Sequence, residues 1–189
     1  MNAHAKVTFS KPDFRRWVEN KQDRYELVDG EPRMMVRVKR GHDTIVMNWF
    51  VELRQSLDKT RYAVHSGEFA LSTGPFSFRL PDVSVEAVGL NPEAYEFTEP
   101  YLLVEVLSPS TSYTDFTDKR AEYTAIPSLE AYVICAQDAR RVWLFVKGED
   151  GWPLRPEELS LATDFIKIPA LGLEIALLDL YFGVSVSDE

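Results

Sequence analysis

Cysteine is almost absent from this 189-residue chain: Cys135 stands alone, so no internal disulfide can staple the fold and stability must come from a packed core. Cys135 lies in the apolar run 131–136 and reads as a small buried hydrophobe. No apolar stretch is long enough to cross a bilayer, and Met1 to Lys11 holds no run resembling a secretory signal. These two absences predict a cytoplasmic protein with no membrane partner. Basic residues are in deficit, 21 Lys and Arg against 30 Asp and Glu, for a formal net charge of −9. Such a balance argues against the broad cationic surface of a non-specific nucleic-acid binder. Arg33, Arg37, Lys39 and Arg40 are the local exception and can form a basic patch. Repeats, low-complexity tracts and linkers are also missing, so residues 1–189 are expected to form a single domain.

What is present is a sequence of short periodic segments. Ser10, followed by Pro12 and Asp13, reads as the cap and first turn of a short helix. Residues 25–28 and 34–38 are strand-like and flank Asp29-Gly30, a dipeptide suited to a tight hairpin turn. From His42 the period becomes helical, with Ile45, Trp49, Leu53 and Leu57 forming one apolar stripe. Strands are predicted over 62–66, 68–72, 82–88, 101–107, 129–135 and 141–147, and a helix over 115–125. The 101–107 run should be a central strand covered on both faces, ended by Ser108-Pro109-Ser110-Thr111. The apolar tail 171–181 should pack back on the sheet. This order predicts an α/β (α+β) fold, a mixed β-sheet flanked by helices.

Two acids interrupt otherwise apolar strands: Asp82, directly after Pro81, and Glu105 within Leu102-Leu103-Val104-Glu105-Val106-Leu107. A buried carboxylate without a partner costs several kcal/mol, so each needs a companion. A divalent cation is one, an arginine or a turn is another. If the two strands are neighbours, both carboxylates can meet at one end of the sheet, with a backbone carbonyl near Val106 as a further oxygen. Oxygen donors of this kind suit Mg²⁺ or Mn²⁺. In the next helix Asp115, Lys119 and Tyr123 recur every four residues, which puts Lys119 within reach of the strand bearing Glu105. An exposed surface pair is the competing reading of that spacing.

Pro81-Asp82 followed by Glu105-Val106-Leu107 resembles the PD-(D/E)XK nuclease signature, with leucine at the position of the signature lysine. Tyr25-Glu26-Leu27-Val28-Asp29-Gly30-Glu31, the helix opening at His42, Arg79-Leu80-Pro81-Asp82-Val83 and Val104-Glu105-Val106-Leu107-Ser108-Pro109-Ser110-Thr111 follow in order. Asp115, Lys119, Tyr123 and Ile126-Pro127-Ser128-Leu129-Glu130-Ala131-Tyr132 complete the set. This combination resembles the Uma-two family of bacterial restriction-endonuclease-type proteins, most strongly over residues 14–143. The resemblance implies a restriction-endonuclease-like fold and metal-dependent endonucleolytic hydrolysis of DNA, with Asp82 and Glu105 holding Mg²⁺ or Mn²⁺. Lys119 then supplies the displaced lysine. A homodimer is implied by the kind of enzyme rather than by any residue.

Around this triad Glu26 is a candidate auxiliary acid, or else pairs with Arg24 or Arg33. Glu68 is a candidate metal-shell carboxylate, or else an exposed strand acid. His42 can bond the substrate or the acids, or else serves the local structure of its helix start, and Tyr123 shares the face of Lys119. Two further readings stay open: a non-catalytic nucleic-acid or protein interaction module on the same fold, and a hydrolase of small phosphoesters, which would need a closed pocket.

Overall fold

Ser10 caps the first helix, α1 (Lys11–Val18), its side chain accepting the Asp13 N–H at 3.2 Å. The computed structural model describes residues 8–89, 91–107 and 115–185, so the segment 108–111 expected to end a strand lies outside the described residues. The buried face of α1 sets Phe14 against Leu27 and Phe78. Next comes the hairpin of β1 (Tyr25–Val28) and β2 (Glu31–Met34). Its turn has positive φ at both Asp29 and Gly30, 50° and 79°. Gly30 is needed for space as well, because a Cβ there would collide with the Thr8 side chain.

Residues 35–38, expected to be strand, are not. Met34 pairs with Tyr25, the first residue of β1, and past it the one backbone tie to this hairpin among the described residues is the Met35 N–H to the Arg24 carbonyl, at 2.8 Å. With no partner residue left, the chain runs on as an extended segment into α2 (Arg40–Ser56). The α2 stripe is as its period predicts: Ile45, Trp49 and Leu53 have no exposure at all. Burial of each aliphatic member contributes roughly 1.5–3 kcal/mol.

The strands that follow are β3 (Tyr62–Ser66), β4 (Ala70–Gly74), β5 (Ser77–Arg79), β6 (Val83–Ala87), β7 (Glu96–Phe97) and β8 (Leu102–Val106). A π-helical turn, Asp115–Lys119, leads into the short α3 (Arg120–Thr124). Beyond it come β9 (Ala131–Cys135), β10 (Val142–Val146), β11 (Glu157–Leu159), β12 (Phe165–Ile168), β13 (Leu173–Ala176) and α4 (Leu177–Leu180). The predicted α/β class holds, and the described strands are shared among three sheets: β2-β1-β5-β4-β7, β11-β10-β9-β8-β6-β3, and the pair β12-β13.

In the six-stranded sheet β8 lies antiparallel to β6 and parallel to β9. The β8-α3-β9 crossover places a helix over the sheet, as a parallel pair requires. On one face Val83, Val85, Val104 and Val106 meet the α2 stripe and the C-terminal tail from Leu171 to Tyr181. That tail does pack back on the sheet as expected. On the other face Leu103, Ile134 and Tyr132 meet Tyr123 of α3 and Leu71 and Phe97 of the five-stranded sheet. Cys135 is fully buried, its sulfur 3.2 Å from the Trp49 indole nitrogen, which fits its reading as a core residue. Among the described residues no helix is long and apolar enough to cross a membrane.

Candidate functional site

β6 and β8 pair with Val83 opposite Val104, and continuing that register by one residue sets Asp82 across from Glu105. Asp82 stands just before β6 begins, where Pro81 has bent the chain out of the ladder. Its Oδ2 therefore turns to accept the Val106 N–H at 2.8 Å and to meet His42 Nε2 at 3.2 Å. His42, on the first turn of α2, is buried, and its Nδ1 has no hydrogen-bond partner among the described residues. The other oxygen of Asp82, Oδ1, has no protein partner among the described residues.

Glu105 is held from the helix side. Lys119, the last residue of the π-helical turn, brings its ammonium to 2.9 Å from Glu105 Oε1 and to 3.7 Å from Glu26 Oε1. One turn on, the Tyr123 hydroxyl donates to the same Glu105 oxygen at 2.8 Å. Burial first, and then the Glu105 carboxylate, push the Tyr123 phenol well above its ordinary value, so it stays a donor. Lys119 and Glu105 are each about 5% exposed or less, which makes theirs a buried ion pair and puts the lysine out of bulk solvent. The π-helical geometry also matters, because i→i+5 hydrogen bonding rotates successive residues less than an α-helix does and so aims Lys119 differently. Asp115, expected on the same face, has a side chain outside the description.

Glu26 reaches the site from β1. Its partners are neither Arg24 nor Arg33 but Arg79, at 3.0 Å, Lys119, and the Leu80 N–H at 3.1 Å. Burial would raise the Glu26 carboxyl, but the charges of Lys119 and Arg79 outweigh it and hold the group below the ordinary glutamate range. Arg79, at the end of β5, is itself 2% exposed and also grips Glu122 of α3, with its Nε 2.8 Å from Oε2. A second guanidinium nitrogen contacts Glu122 Oε1. Burial works against the Arg79 charge, but the bonds to Glu122 and the charge of Glu26 more than offset it and keep the guanidinium firmly protonated. Thr73 donates to Glu122 at 2.8 Å from the neighbouring β4.

These contacts bring Glu26, His42, Asp82, Glu105 and Lys119 to one cleft of about 250 Å³, completed by Arg24, Arg33, Arg79, Val106 and the side chains of Met34, Met35, Val36 and Val38. Tyr123 stands behind Glu105. Glu68 is not brought in: it lies in the turn between β3 and β4, 75% exposed, paired with Arg24 at 3.2 Å. That is the exposed acid of the sequence reading, placed one turn before the strand expected to carry it. Arg79 and Glu122 were given no role from sequence. Arg79 stood next to the Pro81-Asp82 motif, and a basic residue there was the available signal. Glu122 looks like any acid on a short helix.

The cleft sets the carboxylates of Glu26, Asp82 and Glu105 among the cations Arg24, Arg33, Arg79 and Lys119. No group of three or more His, Cys, Asp or Glu able to hold a metal occurs among the described residues, so a closed Zn²⁺-type site does not fit. A hard cation that keeps several waters and takes one or two carboxylates does fit, given the unpartnered Oδ1 of Asp82 and the carboxylate of Glu105 opening on the same cleft.

Comparison with known proteins gives the chain a family and a fold. The family model Uma2, described as "Putative restriction endonuclease", matches residues 12–178. The uncharacterized protein slr1290 of Synechocystis sp. is 26% identical over 179 residues, 93% of each chain. The crystal structure of a protein of Anabaena variabilis, described as "a putative nuclease belonging to DUF820", superposes with a TM-score of 0.75 at 15% identity, over 92% of this chain and 97% of that one. At that identity the likeness speaks for the fold, while the family match spans nearly the whole length. The chain belongs to the Uma2 family, a family of restriction-endonuclease type.

Proposed function

We propose that this protein is a Mg²⁺- or Mn²⁺-dependent endonuclease that hydrolyses phosphodiester bonds of DNA, with Asp82 and Glu105 as the cation ligands and Lys119 as the displaced lysine of the PD-(D/E)XK pattern. The observation that carries the reading is the convergence of Asp82, Glu105 and Lys119 on one cleft, with Lys119 2.9 Å from Glu105 and Asp82 Oδ1 without a partner among the described residues. A divalent cation bound there supplies charge neutralisation and Lewis acidity toward a phosphate oxygen. The side chains do the rest. Lys119 sets a fixed positive charge beside the developing negative charge of a pentavalent phosphorus. Tyr123 and Lys119 together fix the Glu105 carboxylate in one rotamer, and His42 with the Val106 N–H does the same for Asp82. Water adds to phosphorus, the bond to the sugar oxygen breaks, and that oxygen leaves with a proton. One product ends in phosphate and the other in hydroxyl.

Relaxed plasmid formed from supercoiled DNA on addition of Mg²⁺ or Mn²⁺ is the expected result, abolished in Asp82→Asn, a variant that keeps size and one acceptor oxygen while losing the charge. Equal nicking by that variant would place the activity elsewhere. Full folding of both proteins with no cleavage of any DNA would instead favour the non-catalytic interaction module. The hydrolase of small phosphoesters is disfavoured by size, since about 250 Å³ falls short of the roughly 300–1,000 Å³ usual for small-molecule pockets. We further propose that it acts as a cytoplasmic homodimer.

A further inference from the structure

Residues 32–42 contain no acid, although acids outnumber bases in the chain by 30 to 21. Within that interval Arg33, Arg37, Lys39 and Arg40 are all exposed, and none has an ion-pair partner among the described residues. Met34, Val36 and Val38 alternate with them and are also exposed, at 58%, 50% and 47%. Arg33, Met34, Met35, Val36 and Val38 line the cleft, while Arg37, Lys39 and Arg40 do not. The segment thus sets an apolar wall of Met34, Met35, Val36 and Val38 beside the carboxylates, with Arg33 at its start and the exposed Arg37, Lys39 and Arg40 outside the cleft lining.

We infer that residues 33–40 form the strand-binding element of the site and select single-stranded DNA over duplex. The inference rests on the nuclease reading above and names its substrate class. The cations suit phosphates, whose counterions they displace, and their concentration in a protein otherwise so acidic is charge complementarity confined to one place. The apolar wall separates the two forms of DNA. A duplex hides its base faces in the stack and offers polar edges in its grooves, so Met34, Val36 and Val38 would gain little from it. An unpaired strand presents flat apolar base faces that can lie on such a wall next to the phosphate entering the cleft.

The test is fluorescence anisotropy of one labelled oligonucleotide, alone and annealed to its complement, with Ca²⁺ in place of Mg²⁺ and a salt series. Four phosphate contacts to a single strand predict about a 50-fold loss of affinity between 50 and 200 mM salt, falling to about 7-fold in Arg37→Gln/Lys39→Gln. Val36→Ser/Val38→Ser, both exposed positions, should weaken the single strand several-fold and leave duplex affinity where it was. Duplex binding as tight as single-strand binding, or a single-strand affinity indifferent to the valine changes, would overturn the inference. If Asp82-dependent cleavage of duplex DNA accompanied either result, the nuclease reading would stand and only the strand preference would fall. Absence of cleavage on both forms would count against the nuclease reading itself.

Discussion

Arg79→Met removes the guanidinium that ties β1 and β5 of the five-stranded sheet to α3 while keeping an unbranched apolar stem in its place. In the wild type this group, 2% exposed, bonds Glu26 at 3.0 Å and Glu122 at 2.8 Å. Without it Glu26 keeps Lys119 at 3.7 Å and the Leu80 N–H, and Glu122 keeps Thr73. Breaking a buried ion pair by deleting one partner costs about 3–5 kcal/mol, mostly the penalty of a carboxylate left uncompensated. For a chain of this length each kcal/mol shifts Tm by roughly 2–4 °C, so the variant should melt about 6–20 °C lower. The assay is thermal unfolding followed by far-UV circular dichroism. Because the cost lies in the orphaned acid, adding Glu122→Gln should restore part of it, with a coupling of about 0.5–3 kcal/mol. A Tm within about 2 °C of the parent, or strictly additive effects in the double variant, would refute the reasoning.

Tyr123→Phe deletes one hydroxyl whose acceptor is a buried carboxylate, which should cost roughly 1.5–3 kcal/mol in urea denaturation, and should slow nicking through a less well oriented Glu105. Glu26 gives a pH signature. Its folded-state pKa is depressed from the ordinary value near 4.5, so its stabilising contribution is complete above that value and is lost as pH falls through the lower folded-state value. The stability gap between wild type and Glu26→Gln, measured by denaturant titration, should be wide at neutral pH and narrow in acid. A gap that widened on acidification would contradict the assigned direction. Cys135, whose thiol burial pushes up to about 12, should resist a thiol-specific reagent at pH 8 in the folded protein and react at once in denaturant.

Much of this was legible because local pattern and tertiary role coincide. Asp82 and Glu105 announced themselves by interrupting apolar runs, β1 and β3 had the expected bounds, and the α2 stripe was periodic from end to end. Legibility stopped where partners lie far apart along the chain. Glu26 suggested its sequence neighbours Arg24 and Arg33, but the fold supplied Arg79, 53 residues away. β5, three residues with a serine and an arginine among them, has no apolar alternation to betray it, although all three are buried. Residues 35–38 have strand composition yet lack a partner strand, and no local pattern states where a neighbour ends. The partition into separate sheets, and the β12-β13 pair, depend on the same long-range pairing.

The cleft draws on β1, the first turn of α2, the end of β5, the residue before β6, β8 and the π-helical turn before α3, so none of its parts is functional by itself. During synthesis the earlier carboxylates emerge long before Lys119 and Tyr123, and β8 gains its parallel neighbour later still. A chain interrupted or misfolded partway therefore carries no complete cleft, and the site is withheld until the molecule is finished.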